Sequence, residues 1–218
     1  VPEDVDGNVY VLAGTVRKVR YLMAKHELGG TVEQHLVEYR AEKEKLEFKR
    51  QRLRRLTTKE VQQFKKQGER FVGMRMNPEY NKPSDEYPDG RSKMRWIVQG
   101  FDEPEGWKEK GTDAPTVKES TVKMLIAEGQ HDLQEGDEDV ISTGDIGMAF
   151  LFADDYTDED APRLVKYIPF PGAEVEYYQL RGPVYGSTDA PLRWHNTFTE
   201  WMTKEMGYTQ AKNDKCLY

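Results

Sequence analysis

Phe71-Val72-Gly73-Met74-Arg75-Met76 and Lys93-Met94-Arg95-Trp96-Ile97-Val98 are the stretches on which the fold of this chain turns. Both read as short strands. Residues 77–90 between them are rich in Pro, Asn, Asp and Gly and read as a loop or hairpin connection, and Gly100 stops the second strand. A loop follows from Asp102 through Pro104 and Gly106 to Gly111. Ser120 to His131 then reads as a helix with Val122, Leu125 and Ile126 on its apolar face, and Asp139 to Asp145 as a strand ending in an acid. Leu164 to Ile168 and Tyr177 to Leu180 are short strands separated by a Pro-Gly turn. Ala190 to Met206 reads as an amphipathic helix with Pro191 in its first turn and Trp194, Phe198, Trp201 and Met202 at helical spacing. Cys216-Leu217-Tyr218 looks like the start of a further strand. This order gives an α+β plan with a mostly antiparallel sheet and packed helices.

The first seventy residues have a different texture. Val9 to Val19 is mildly β-prone. Thr31 to Leu56 is helical in pattern, with Val32, Tyr39, Leu46 and Leu53 recurring every seven residues and Leu36 and Leu56 widening the stripe. The companion heptad positions are His35, Glu42 and Lys49, a poor coiled-coil seam. The stretch therefore reads as an amphipathic helix docking on something else. Thr58 is read as the cap of a second helix, Lys59 to Lys66. Residues 1–70 are expected to form a basic, largely helical appendage, and 71–218 the second unit.

Charge follows the same division. Residues 1–70 carry 16 Lys and Arg against 11 Asp and Glu, a net of +5, whereas 71–218 carry 16 against 28, a net of −12. A basic segment of this kind fits a nucleic-acid contact, an internal pairing or a solvated helix face. The whole chain of 218 residues has a net charge of −7 and is 33% charged, above the roughly 25% of an average domain. Its single cysteine excludes a disulfide framework and a cysteine-rich zinc module and suits a reducing, intracellular compartment. Its apolar runs are too short to span a membrane. It begins at Val1 without a signal segment and reads as a piece of a longer protein.

Most catalytic signatures are missing: no phosphate-cradling Gly-rich loop, no HExxH and no Gly-x-Ser-x-Gly. The four histidines are scattered, which argues against a His-ligated metal. The informative stretch is Gly144-Asp145-Ile146-Gly147-Met148-Ala149-Phe150-Leu151. A carboxylate at a strand end can hold magnesium and leave room for substrate phosphates and water. The plainer reading of Asp145 is a cap on a following helix.

Further blocks stand beside it: residues 93–101, Asp113-Ala114-Pro115-Thr116-Val117, and Leu180-Arg181-Gly182-Pro183-Val184-Tyr185-Gly186 continuing through Ser187-Thr188-Asp189-Ala190-Pro191-Leu192-Arg193-Trp194. With Asp145 and Asp214-Lys215-Cys216-Leu217-Tyr218, these five ordered blocks over residues 70 to 218 resemble the reverse transcriptase domain of copia-type retrotransposon polyproteins. The resemblance implies a polymerase fingers-and-palm fold and magnesium-dependent, RNA-directed DNA synthesis. Its implied partners are an RNA or DNA template–primer, deoxynucleoside triphosphates and the remaining polyprotein domains. It makes Asp145 the first catalytic metal ligand, with the Ile146 carbonyl as a further ligand to the ion. Phe150 becomes the wall under the sugar that excludes a 2′-hydroxyl. Lys93 and Arg95 become cations for the triphosphate, with a charged strand edge as the plainer reading. Tyr185 and Gly186 would lie by the template–nucleotide pair, and Trp194 is read as core.

The chain departs from that pattern at three points. Asp189 stands where the family has Gln, which would put a negative charge against the nucleotide. Ser187-Thr188 replaces Leu-Lys. The family's second acidic block, Tyr-x-Asp-Asp, is expected after Tyr218, so this chain alone is expected to be inactive. Phe152-Ala153-Asp154-Asp155 lies too near Asp145 to be that block and reads, with Asp158, Glu159 and Asp160, as solvated loop. The alternative to a polymerase fragment is a non-catalytic, decayed or co-opted domain that binds nucleic acid or protein through its basic helices.

Overall fold

The computed structural model describes residues 4–107, 111–131 and 143–218. Its centre is a five-stranded sheet in the order β1-β5-β4-β2-β3, built from β1 (Leu53–Arg55), β2 (Val72–Asn81), β3 (Arg91–Val98), β4 (Leu164–Tyr167) and β5 (Glu176–Leu180). Three of the four pairings are antiparallel, and β2 with β4 is parallel. This is the expected α+β class. The β2–β3 ladder runs through Asn81↔Arg91, so β2 continues five residues past the predicted end at Met76, into the stretch read as a loop. Cross-strand pairing supplies backbone partners that Pro78 and the polar residues around it do not advertise.

Alternation on β3 buries Ser92, Met94, Trp96 and Val98 on one face. Trp96 is fully enclosed, with its ring centroid 5.2 Å from Tyr167 on β4 and 5.6 Å from Tyr178 on β5. Three large rings thus fix the middle of the core.

The front of the chain folds differently from its sequence pattern. The β-prone run lies inside helix α1 (Asp4–Lys25), where Val19 and Leu22 are buried and Met23 packs beside them. Burial at helical spacing overrides a weak strand preference. Helix α2 (Val32–Glu44) starts at Thr31 with a capping box to Gln34. It passes into a π-helical turn over Lys45–Lys49, and Gln51 at φ 50° ends the helical path. Leu53 and Leu56, predicted on the helix stripe, instead lie on and just after β1, and Leu56 N–H donates to Tyr177 O at 2.9 Å.

Two of the stripe's polar companions, His35 and Glu42, are also buried, whereas Lys49 is exposed. His35 contacts Gly29 O at 2.8 Å and Ser92 Oγ at 2.5 Å, and Glu42 accepts Trp96 N–H at 3.2 Å while pairing with Lys45. Val19, Tyr39 and Leu46 share one core with Val72, Trp96, Val165 and Tyr178. The front helices are therefore packed into this core and are not an appendage to it.

Helix α3 (Thr58–Lys66) is capped by Thr57 in a box with Glu60, one residue earlier than predicted. Helix α4 (Glu119–His131) and helix α5 (Ala190–Glu200), which continues in a π-helical turn over Trp201–Glu205, match their predicted positions. The strand predicted over 139–145 falls largely outside the described residues, and 143–146 are irregular. Cys216–Tyr218 is turn and coil, not strand. No helix of the described residues is long and apolar enough to cross a membrane.

Candidate active site

Two sequence blocks more than eighty residues apart meet at the end of β3. Val98 N–H donates to Tyr185 O at 2.8 Å. Gly186 sits at φ 85°, and a Cβ there would lie 2.6 Å from Ile97 Cγ2 and overlap Val98 O. A Cβ on Gly100 would overlap Gly186 O in turn. Only glycine permits both this left-handed backbone and this approach. The close approach that Gly186 makes here is to β3 itself.

The half-buried face of β3 carries Lys93, Arg95 and Ile97. The Arg95 guanidinium carbon is 5.9 Å from the Tyr185 ring centroid and its Nη1 is 3.3 Å from Glu79 Oε1. Lys93 stands opposite Glu79 in the ladder. A second cation, Lys45 from the π-helical turn, has its Nζ 5.8 Å from the same Tyr185 ring. Burial raises the Tyr185 hydroxyl pKa, with Glu42 adding to the rise and Arg95 opposing it. The structure thus joins Arg95, Tyr185 and Gly186, with Lys93 on the same strand face. Lys45 is an addition that nothing in its helical sequence context signals.

Asp145 and Ile146 lie on an exposed, irregular stretch. Among the described residues, neither makes a side-chain hydrogen bond or ion pair with the β3 group. Asp145 caps no helix: the next element is a 3-10 turn over Ala149–Phe152, its N-cap is Met148 in the left-handed region at φ 63°, and no side chain caps it. Phe150 is half-buried in that turn and Leu151 is fully buried. The turn is gripped from the front segment by Arg52, whose Nε and Nη2 donate to Leu151 O at 3.1 and 2.7 Å. Nη2 also donates to Ala153 O at 2.8 Å, and Nη1 pairs with Asp155. Of the acidic run, Asp154, Asp155, Asp158 and Glu159 are exposed, whereas Asp160 is half-buried and pairs with Arg193.

The residues that depart from the copia-type pattern each have a partner in the core. Asp189, the departure expected against the nucleotide, is almost sealed from solvent. Its carboxylate lies 2.9 Å from Arg163 Nη2 and 2.7 Å from Arg193 Nε, and it accepts the Tyr156 hydroxyl at 3.1 Å. Arg193 also reaches Asp160 at 2.7 Å. The Tyr156 ring has the Arg163 and Arg193 guanidinium carbons 4.3 and 4.5 Å from its centroid. Thr188 donates its N–H, at 3.3 Å, and its hydroxyl to Glu103, a buried carboxylate whose pKa is raised by burial against these bonds. Ser187 Oγ accepts Val184 N–H at 3.4 Å. The residues at the Leu-Lys-Gln positions therefore hold the loop to the core.

Asp214 of the last block performs a comparable task. It accepts Thr121 Oγ1 at 2.6 Å, Lys118 N–H at 2.9 Å and Cys216 N–H at 2.9 Å, ties that hold its carboxyl down to about 2. They fasten the C-terminal turns to the start of α4. Tyr218 closes this region, its hydroxyl 2.6 Å from Thr199 Oγ1 and its ring edge-on to Phe198.

Among the described residues, open clefts lie elsewhere, one of about 430 Å³ beside Leu53 and Arg181 and one of about 630 Å³ beside Val61 and Tyr177. Polar convergence and ring contacts, not concavity, mark the candidate site. Among the described residues no group of three His, Cys, Asp or Glu side chains converges as a metal cage. Comparison with family models, curated proteins and solved structures finds no match to this chain.

Proposed function

We propose that the chain is a fingers-and-palm portion of an RNA-directed DNA polymerase of the copia-type retrotransposon kind. In this reading it binds a deoxynucleoside triphosphate and a template–primer but does not complete nucleotidyl transfer by itself. The observation that carries the reading is the seam between β3 and the Tyr185–Gly186 turn. It brings Arg95 beside Tyr185, and the resemblance assigns both to one nucleotide. A guanidinium beside a ring suits a ligand with both phosphate and a flat base.

Asp145 is the residue that would hold magnesium. An exposed carboxylate fits an ion that keeps most of its waters and draws further ligands from substrate phosphates. Bound there, the ion would neutralise charge on the triphosphate. Two-metal transfer requires converging ligands, and the described residues contribute Asp145 without such a group.

The test is primer extension on an RNA template with magnesium, run beside equilibrium binding of a deoxynucleoside triphosphate. Binding with little extension is the expected result. Robust synthesis would show that a complete acidic site lies within this chain. Absence of both nucleotide and template binding would remove the polymerase reading.

A second, non-catalytic reading has its own observation. Lys25 and Arg75 line a groove of about 240 Å³ with Tyr21 and Phe170, and Arg17 lies 4.7 Å over the Phe170 ring. Cations interleaved with rings suit single-stranded nucleic acid. A steep loss of RNA binding with salt, abolished by Arg17→Glu and Lys25→Glu together but kept in Arg95→Ala, would place binding on the helices instead.

A further inference from the structure

We propose that Arg52 is a positioning residue for sugar discrimination: from the front segment it holds the turn that carries Phe150 in place. This inference rests on the polymerase reading of Phe150 given above. Arg52 is 7% exposed, and its guanidinium fork is spent on one five-residue stretch: Leu151 O twice, Ala153 O and the Asp155 carboxylate. Its own carbonyl accepts Arg181 N–H at 2.9 Å, and Gly182 lies so close to the guanidinium that a Cβ would overlap it. Arg52 therefore joins the Phe150 turn to the loop that leads into Tyr185 and Gly186.

The turn needs such a partner. Met148 enters it with a left-handed backbone at φ 63°, a conformation that is unfavourable for a non-glycine residue. Only short 3-10 geometry follows, with Leu151 N–H returning to Met148 O at 2.8 Å. The carbonyls of Leu151 and Ala153 lie against buried side chains, where an unpaired acceptor is costly. Charge-assisted bonds from one rigid fork satisfy both and set the backbone on either side of Phe152. Phe150 immediately precedes one of the gripped carbonyls. A wall that senses one oxygen atom on a sugar tolerates little displacement, because atom-scale misplacement is enough to lose discrimination.

Arg52→Lys separates this role from simple support: it keeps the charge but cannot reproduce the fork. Arg52→Met is the harsher companion, and Phe150→Ala reports removal of the wall itself. In the full chain with template–primer and magnesium, dGTP and GTP binding are titrated, and amide exchange over 149–153 is followed by mass spectrometry. The wild type is expected to prefer dGTP by about tenfold or more, as a steric pocket does for a small added group. Arg52→Lys is expected to stay folded, to exchange faster over 149–153, and to let the dGTP:GTP ratio fall toward that of Phe150→Ala.

An unchanged ratio in a folded Arg52→Lys, with Phe150→Ala losing its preference, overturns the inference and leaves the polymerase reading standing. A wild type that binds neither nucleotide while Arg52→Lys still speeds exchange over 149–153 fails the polymerase reading, and the sugar role of Arg52 with it, but retains the grip on the turn. Unchanged exchange in Arg52→Lys overturns the positioning role whatever the nucleotides do.

Discussion

Asp189 Oδ2 lies 2.9 Å from Nη2 of Arg163, and both side chains are closed off from solvent. Around that pair, Arg193, Asp160 and Tyr156 complete a network beneath the loop that delivers Tyr185 and Gly186. An acid that looks misplaced for nucleotide binding is thus a counter-charge for two arginines.

Removing that counter-charge is expected to be expensive. Asp189→Asn leaves Arg163 and Arg193 without their shared carboxylate, and breaking a buried pair costs about 3–5 kcal/mol. Urea unfolding measures it. Asp189→Gln, which installs the residue of the copia-type pattern, is expected to lose stability similarly. Pairing Asp189→Leu with Arg163→Met is expected to recover part of the loss. A cost under about 1 kcal/mol for Asp189→Asn would match a solvated surface pair and contradict the buried network.

Gly186→Ala tests the seam with β3. A left-handed backbone with a Cβ costs about 1–3 kcal/mol, and here the added carbon also meets Val98 O and Ile97. Gly207 provides the comparison, since its φ is 74° and a Cβ there meets nothing within 4 Å. Gly186→Ala is expected to lower the unfolding midpoint more than Gly207→Ala. It is also expected to weaken nucleotide binding, which Gly207→Ala leaves intact. Equal effects would mean that close packing at the seam contributes nothing.

Acid sensitivity should trace to Asp214 and Glu60. Hydrogen bonds from Thr121, Lys118 and Cys216 hold the Asp214 carboxyl down to about 2, and bonds from Thr57 and Arg54 do the same for Glu60. A carboxyl depressed in the folded state stabilises it fully above its unfolded value. That contribution is lost as pH falls through the folded value. The window therefore runs from about pH 4.5 down to about 2. Thermal melts across this range are expected to show a smaller drop for Asp214→Asn than for wild type, because the variant has already lost the contribution at neutral pH. Identical pH profiles would contradict the assignment.

The cations flanking Tyr185 make separable predictions. Arg95→Ala is expected to weaken deoxynucleoside triphosphate binding about tenfold, the scale of one charged hydrogen bond. Lys45→Ala is expected to weaken it less, since Lys45 also neutralises the buried Glu42 and part of its effect falls on stability. Isothermal titration alongside chemical denaturation separates the two. Binding unaffected by Arg95→Ala would remove β3 from the site.

Periodicity and punctuation made much of the fold legible. Alternation around Trp96, the Pro-Gly turn before Tyr177 and the Pro191 helix start all lie where local pattern places them. The failures share a physical cause. Val9 to Val19 has a strand-prone composition, but burial of Val19 and Leu22 against α2 makes it a helix. Leu53 continues a seven-residue stripe, yet pairing with Leu180 and the left-handed Gln51 pull it into a strand. At the site, Lys93, Arg95, Tyr185 and Gly186 were legible through their motif blocks. Lys45 and Arg52 were not, because each acts on a residue distant in the chain.

Sequence alone determined the α+β class and most of the strands behind the seam, because those depend on local preference and on the order of motifs. Tertiary structure alone decided that the basic front belongs to the core, that Arg52 grips the Phe150 turn, and that Asp189 is a buried counter-charge. The meaning of a charge depends on what surrounds it. Its desolvation and its partners come from segments that meet only when the sheet closes.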